Sequence, residues 1–278
     1  MKHREFKWIS ADRLKLHGYV WLPKEAPKAV MALVHGVGEH SLRYEHWAKR
    51  FVEKGYVVIA YDLRNHGLSE GARGGVSKFN NLLDDIDHFL VEIDKQLPEL
   101  PVFLYGHSLG GLLTLNYVLR RKPFIKGVIA TSPGLQMAEA LSPKLLMMAK
   151  VLKYLVPFAT VKSPLNPSHV SRNQEVVDRY VADTLVHDRV SFELIVAGLD
   201  AAEWSLVHAR EFHVPLLLMH GTGDMITDYQ ASKRFAEKAK SVTELKLWED
   251  AFHELHHEEC ADDVFNYVFN WMEKEISK

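Results

Sequence analysis

The chain has a single cysteine in 278 residues, Cys260. No internal disulfide can therefore brace the fold, and a reducing compartment suits it. Cys260 stands late in the chain among acidic residues, where an inert thiol is expected. Neither sign of charge is in excess: 34 Lys and Arg stand against 36 Asp and Glu, so the basic footprint of a nucleic-acid binder is missing. No uncharged run approaches the roughly 18 residues that a membrane-crossing helix requires. The opening MKHREFKWIS is charged and lacks the apolar stretch of a secretory signal. There is no internal repeat and no low-complexity tract. These absences point to a soluble, cytoplasmic protein without a nucleic-acid partner, large enough to bury a sizeable core. They leave its oligomeric state open.

What is present is a regular alternation. Apolar segments bounded by turn residues cover Leu14–Leu22, Ala29–Val34, Val57–Tyr61, Val102–Tyr105, Gly127–Thr131, Pro215–Met219 and Glu244–Trp248. Several are continuously apolar, as befits strands covered on both faces of a parallel sheet. Helix-compatible stretches lie between them: Tyr44–Lys54, Phe79–Gln96, Gly111–Arg121, Gln230–Ala239 and Cys260–Ile276. The class is α/β, with a mostly parallel open sheet flanked by helices. Glu5–Ile9 and Leu14–Leu22 straddle a turn and predict an antiparallel hairpin at the sheet edge. From Gln136 to Asp200 the alternation stops. Helical runs punctuated by prolines 143, 157, 164 and 167 predict a helical cap (136–200) inserted into a core made of 1–135 and 201–278. Its first part, Leu141–Phe158, is apolar nearly all round. Lys144, Lys150, Lys153 and Pro157 exclude a span. That part would either pack on the core, cover an acyl pocket, or touch a lipid surface.

Val102–Gly110, VFLYGHSLG, runs a strand into Gly-His-Ser-Leu-Gly. A serine with glycines at −2 and +2 fits a tight strand-to-helix turn, which lifts the Ser108 hydroxyl above a helix N-terminus. The motif is short and can arise by chance, but a strand before it and a helix after it argue for a nucleophile. A serine nucleophile needs a base, and the base an orienting acid, in the chain order Ser, Asp or Glu, His. Asp224 is the first acid after the strand Pro215–Met219; Asp228, four residues on, is expected to cap the next helix. His253 follows the strand Glu244–Trp248, with His256 and His257 as later alternatives. The oxyanion would face the backbone N–H of Leu109, after the nucleophile, and of Val37 in the His35-Gly36-Val37-Gly38 turn. His253-Glu254-Leu255-His256-His257 also satisfies H-E-x-x-H. That zinc chemistry requires both histidines on an established helix, whereas here the motif follows a strand and a short loop. No metal and no organic cofactor is expected.

With these residues in hand, the chain resembles the α/β-hydrolase superfamily, and within it the monoacylglycerol lipase and lysophospholipase branch. The likeness covers nearly the whole chain. It rests on His35-Gly36-Val37-Gly38-Glu39-His40-Ser41-Leu42-Arg43-Tyr44, on Asp62-Leu63-Arg64-Asn65-His66-Gly67-Leu68-Ser69-Glu70-Gly71, on the elbow at Gly106–Gly111, and on Ala251-Phe252-His253-Glu254-Leu255-His256. Asn65 stands where the branch usually has glycine, and Leu109 where its eukaryotic members have methionine. The resemblance implies Ser108, Asp224 and His253 as the triad and Val37 and Leu109 as the oxyanion hole. It implies a cap that lines a tunnel for one acyl chain, with a small polar pocket for glycerol. Glu39, Arg43, His107 and His256 occupy polar motif positions and become candidate substrate contacts, with structural ion pairing as the alternative for Glu39 and Arg43. The expected activity is serine carboxylester hydrolysis of monoacylglycerols through an acyl-enzyme, with transient membrane-surface contact through the cap. The alternatives are a lysophospholipase, a broad carboxylesterase, or a non-catalytic module on the same fold. A serine nucleophile argues against the dehalogenase and epoxide-hydrolase chemistry that an aspartate there would support.

Overall fold

The computed structural model describes residues 2–156 and 158–278. Met1 and Pro157, which entered the sequence reading, lie outside the described residues. Among the described residues, ten strands form: β1 (Lys2–Ile9), β2 (Lys15–Leu22), β3 (Ala29–Val34), β4 (Tyr56–Tyr61), β5 (Val102–His107), β6 (Gly127–Thr131), β7 (Thr160–Lys162), β8 (Arg189–Ser191), β9 (Leu216–Gly221) and β10 (Thr243–Trp248). The helices are α1 (Glu45–Glu53), α2 (Phe79–Gln96), α3 (Leu109–Arg121), α4 (Pro143–Leu155), α5 (Gln174–Ala182), α6 (Phe192–His208), α7 (Tyr229–Lys238) and α8 (Ala261–Ile276).

Eight strands make one sheet in the order β1-β2-β4-β3-β5-β6-β9-β10. β1 and β2 form the expected hairpin, and β2 meets β4 antiparallel; every later pairing is parallel. The continuous apolar runs have a direct cause. In β3, Val30, Ala32 and Val34 pack into the core that includes Ile86 and Phe89 of α2 and Leu115 of α3. Ala29, Met31 and Leu33 pack into the core that includes Trp47 and Phe51 of α1 and Phe265 of α8. Successive side chains point to opposite faces, so a strand covered on both must be apolar at every position.

The segment after β6 departs from the expectation of a purely helical cap. β7 and β8 pair as a two-stranded antiparallel ribbon. Each is only three residues long, too short for period-2 alternation to register. The boundary expected at Asp200 falls inside α6, which runs on to His208. Its second half is bound to the core, with the Asn116 side-chain amide of α3 donating to Ala201 O (3.2 Å) and Ser205 Oγ (2.9 Å). α4 lies on α6 but buries only Ala149 fully. Met147, Tyr154, Leu155 and Phe158 are 66%, 80%, 70% and 65% exposed. Several apolar residues of this segment thus face solvent rather than pack on the core. No helix of the described residues is long and apolar enough to cross a membrane.

Candidate active site

Parallel strands deliver their C-terminal ends to one edge of the sheet, and the loops that follow gather there. β5 ends at His107 and α3 begins at Leu109, which leaves Ser108 alone to make the turn. Its backbone sits at φ 54°, ψ −117°, a conformation unfavourable for any residue with a Cβ. The flanking glycines make this possible by close approach. A Cβ on Gly106 would strike Gly110 O, and one on Gly110 would strike Val34 O. As the first residue of α3, Leu109 has an N–H with no acceptor inside the helix.

β9 ends in His220-Gly221, and the turn after it carries Asp224. Asp224 Oδ2 accepts from His253 Nδ1 at 2.7 Å, from His220 Nε2 at 3.0 Å and from Thr227 Oγ1 at 2.9 Å. Its Oδ1 accepts the N–H groups of Ile226 (2.7 Å) and Thr227 (3.0 Å). Burial alone would push this carboxyl up, but His253 and the donors around it hold it well below the ordinary carboxylate range. Burial likewise opposes charge on His253, yet Asp224 outweighs it and raises the imidazole above its ordinary value. The Ser132 hydroxyl donates to His253 O at 2.7 Å and fixes the loop. Asp228, the rival acid, caps α7 by accepting from the Gln230 N–H at 2.9 Å.

The candidate substrate contacts divide. Glu39 Oε1 accepts from the Gly36 N–H (2.6 Å) and the Tyr44 hydroxyl (2.8 Å), while Oε2 accepts from Arg43 (2.6 Å). Arg43 also makes a two-pronged pair with Glu254 at 2.6 and 2.7 Å, and its guanidinium lies 4.6 Å from the Tyr180 ring centre. These contacts hold the turn that carries Val37, and Glu39 forms part of a cavity wall beside Ser108. Arg43 and His256 line neither of the cavities at Ser108. Arg43 is consumed by its two carboxylates. His256 is buried, stacked at 4.5 Å on Tyr44 and 5.1 Å from the His107 ring. His107 does reach the cavity, its Nδ1 3.1 Å from Thr131 Oγ1 and its ring 4.7 Å from that of His253. Burial, and then the neighbouring His253, hold His107 well below the ordinary imidazole range, so it stays neutral. Asn65 takes φ 66°, a left-handed turn that asparagine tolerates better than other side chains.

The H-E-x-x-H segment does not build a zinc site. Leu255–His257 is one short helical turn, and His253 Nδ1 is engaged with Asp224. Ligand atoms of Glu254, His256 and His257 do cluster within 4.8 Å. Both Glu254 oxygens, however, are taken by Arg43, and one also by His257 Nδ1 (2.7 Å), so a cation would have to displace a guanidinium.

Three cavities meet at Val37 and Leu165. An apolar one of about 160 Å³ runs from Ser108 and Leu109 between core and cap, walled by Leu112, Met137, Leu145, Leu194, Leu199 and Ile226. A small one of about 10 Å³ lies across the hydroxyl, against Glu39, His107, Tyr180 and His253. A larger chamber of about 540 Å³ opens beyond it, with Arg73, Ser163, Asp183, His187 and Arg189 in its wall. Sequence reasoning missed Tyr180, Leu165 and His220. A signal for His220 exists: His-Gly ends β9 as it follows β3 at His35-Gly36.

Residues 25–260 match the family described as serine aminopeptidase, S33. A monoglyceride lipase of Homo sapiens is 34% identical over 95% of this chain and 88% of its own length. An abhydrolase domain-containing protein of Dictyostelium discoideum is 36% identical over 96% of the chain, which spans only 29% of that longer protein. Among solved structures, the monoacylglycerol lipase of Paleococcus ferrophilus superposes with a TM-score of 0.83 at 31% identity, covering 100% of this chain and 99% of that one.

Proposed function

We propose, on the premise that the chain belongs to the serine aminopeptidase (S33) family of α/β-hydrolases, that it cleaves monoacylglycerols to fatty acid and glycerol through a Ser108 acyl-enzyme. The observation that carries this reading is the form of the cavities: an apolar one runs from Ser108 between core and cap, and a larger chamber with Arg73, Asp183, His187 and Arg189 in its wall meets it at Val37 and Leu165. The apolar cavity takes a single acyl chain, and the larger chamber takes the alcohol. His253 removes the Ser108 proton as Oγ attacks the ester carbonyl, and Asp224 holds and stabilises the imidazolium. The developing oxyanion faces the Leu109 and Val37 N–H groups, close to the positive end of α3. Collapse breaks the ester C–O bond, and His253 returns the proton to the departing glycerol. Water, deprotonated by His253, then attacks the acyl-enzyme; the acyl C–O bond to Ser108 breaks, His253 returns the proton to Ser108 Oγ, and the fatty acid leaves. The chemistry draws on side chains and backbone amides alone, with no cofactor. The exposed apolar side chains of α4, with lysines 144, 150 and 153 among them, rest on a lipid surface from which the substrate enters.

The test is a fluorophosphonate probe combined with a hydrolysis panel. The wild type takes up the probe and Ser108→Ala does not; labelling retained in the variant overturns the nucleophile, and no labelling of the wild type favours a non-catalytic module. In the panel, monoacylglycerols turn over faster than diacylglycerols, lysophospholipids and short p-nitrophenyl esters. A lead for lysophospholipids or short esters overturns the substrate assignment.

A further inference from the structure

We propose that Asp224 serves two histidines, and that the buried Ser232–His220 pair positions the carboxylate for His253, the base proposed for Ser108. This rests on the catalytic reading above. His220 sits at the end of β9 with no exposed surface, as does Ser232 on α7. His220 Nε2 is surrounded by oxygens: Asp224 Oδ2 at 3.0 Å, Thr227 Oγ1 at 3.2 Å and Thr227 O at 3.3 Å. A carboxylate and a carbonyl can only accept, so Nε2 carries a proton and donates it. Nδ1 on the other side of the ring pairs with the Ser232 hydroxyl at 2.8 Å. The ring is thereby held at both nitrogens in one orientation, aimed at the same Oδ2 that receives His253 Nδ1.

The charged and titratable neighbours are few. Asp224 and His253 adjoin the buried pair directly, Thr227 and Ser232 contribute hydroxyls, and His107, Glu254 and Glu39 act on His253 from its far side. Within this cluster His220 has a specific effect. As His253 becomes an imidazolium, Asp224 must remain a carboxylate and keep its plane. A second N–H on Oδ2 spreads the negative charge and lowers that oxygen's proton affinity, so the proton stays on His253 Nδ1. It also adds to the hold that Thr227 Oγ1 has on Oδ2. Without it, Oδ2 is more basic and holds the imidazolium more tightly, and Thr227 Oγ1 is left beside His253 as its side-chain donor.

The test compares His220→Leu, His220→Gln and Ser232→Ala in the full chain on a soluble short-chain ester. Fluorophosphonate titration counts active sites, so kcat is expressed per competent molecule. His220→Leu lowers kcat per site by about tenfold or more, the loss of one hydrogen bond to a charged group, with KM within about twofold. The acid limb of kcat/KM moves to higher pH. His220→Gln, which keeps an N–H donor, recovers most of the rate. Ser232→Ala gives a smaller shift in the same direction, and it decides the matter if His220→Leu does not fold. If titratable sites fall while kcat per site and the acid limb stay put, the pair is merely structural and the inference is overturned. Failure of the wild type to titrate at Ser108 would instead remove the catalytic reading itself.

Discussion

Glu39, Arg43 and Glu254 illustrate how one residue's role is set by what surrounds it. Arg43 is almost wholly buried between two carboxylates, and removing it leaves both in a medium that cannot solvate them. Arg43→Met should cost about 3–5 kcal/mol, seen as a lower urea midpoint at unchanged m-value. Unchanged stability with lost activity would return Arg43 to the list of substrate contacts. For His253 the sign of the pH effect follows from its partner. As the proposed base it must be neutral to accept the Ser108 proton, and Asp224 raises its pKa above the ordinary 6.5. Activity therefore falls with decreasing pH along a limb centred above 6.5. Asp224→Asn removes the cause, and kcat should drop by about 10⁴-fold. A limb centred below the ordinary value in the wild type would show that the Asp224 contact is broken in solution.

At the scale of elements, α6 and α4 differ in what they can lose. Gly198 lies on the α6 wall of the apolar cavity, and a Cβ built on it meets nothing within 4 Å. Gly198→Leu should keep or improve stability, since glycine disfavours a helix interior by about 1 kcal/mol. It should also shorten the acyl chains accepted, read as a falling ratio of long- to short-chain monoacylglycerol turnover. Equal turnover at all lengths would mean that the chain runs elsewhere. On α4, Tyr154→Ser with Leu155→Ser removes exposed apolar area and little packing. Thermal stability should hold while co-sedimentation with phosphatidylcholine vesicles drops. Vesicle binding that survives both changes would count against lipid contact through this helix.

Across the whole molecule, cap and core share elements as well as contacts. α6 passes from the cap ribbon into hydrogen bonds with α3, and Ser191 Oγ donates to Val76 O at 2.7 Å at its start. The turn that carries Val37 is also tied to the cap. The His187 N–H donates to Gly38 O at 2.8 Å, and His40 Nε2 pairs with Asp183 at 2.9 Å. A single calorimetric transition is expected, because neither part can unfold without breaking the other's contacts. A separate, earlier transition for the cap would contradict this.

The local pattern of the chain determined the sheet, the flanking helices and the positions of Ser108, Asp224 and His253. Two-sided burial makes the strands of a parallel sheet continuously apolar, and the turns after them need particular residues at fixed offsets; both leave marks within a few neighbouring positions. The β7–β8 ribbon and the continuation of α6 into the core left no such mark, being too short in one case and dependent on a distant partner in the other. The same holds for Arg43, whose meaning rests on Glu254, 211 positions away, and for the burial of His220 against Asp224. Which side chain meets which across the fold is set by tertiary packing, and packing alone separated the residues that line the cavities from those that only hold them in place.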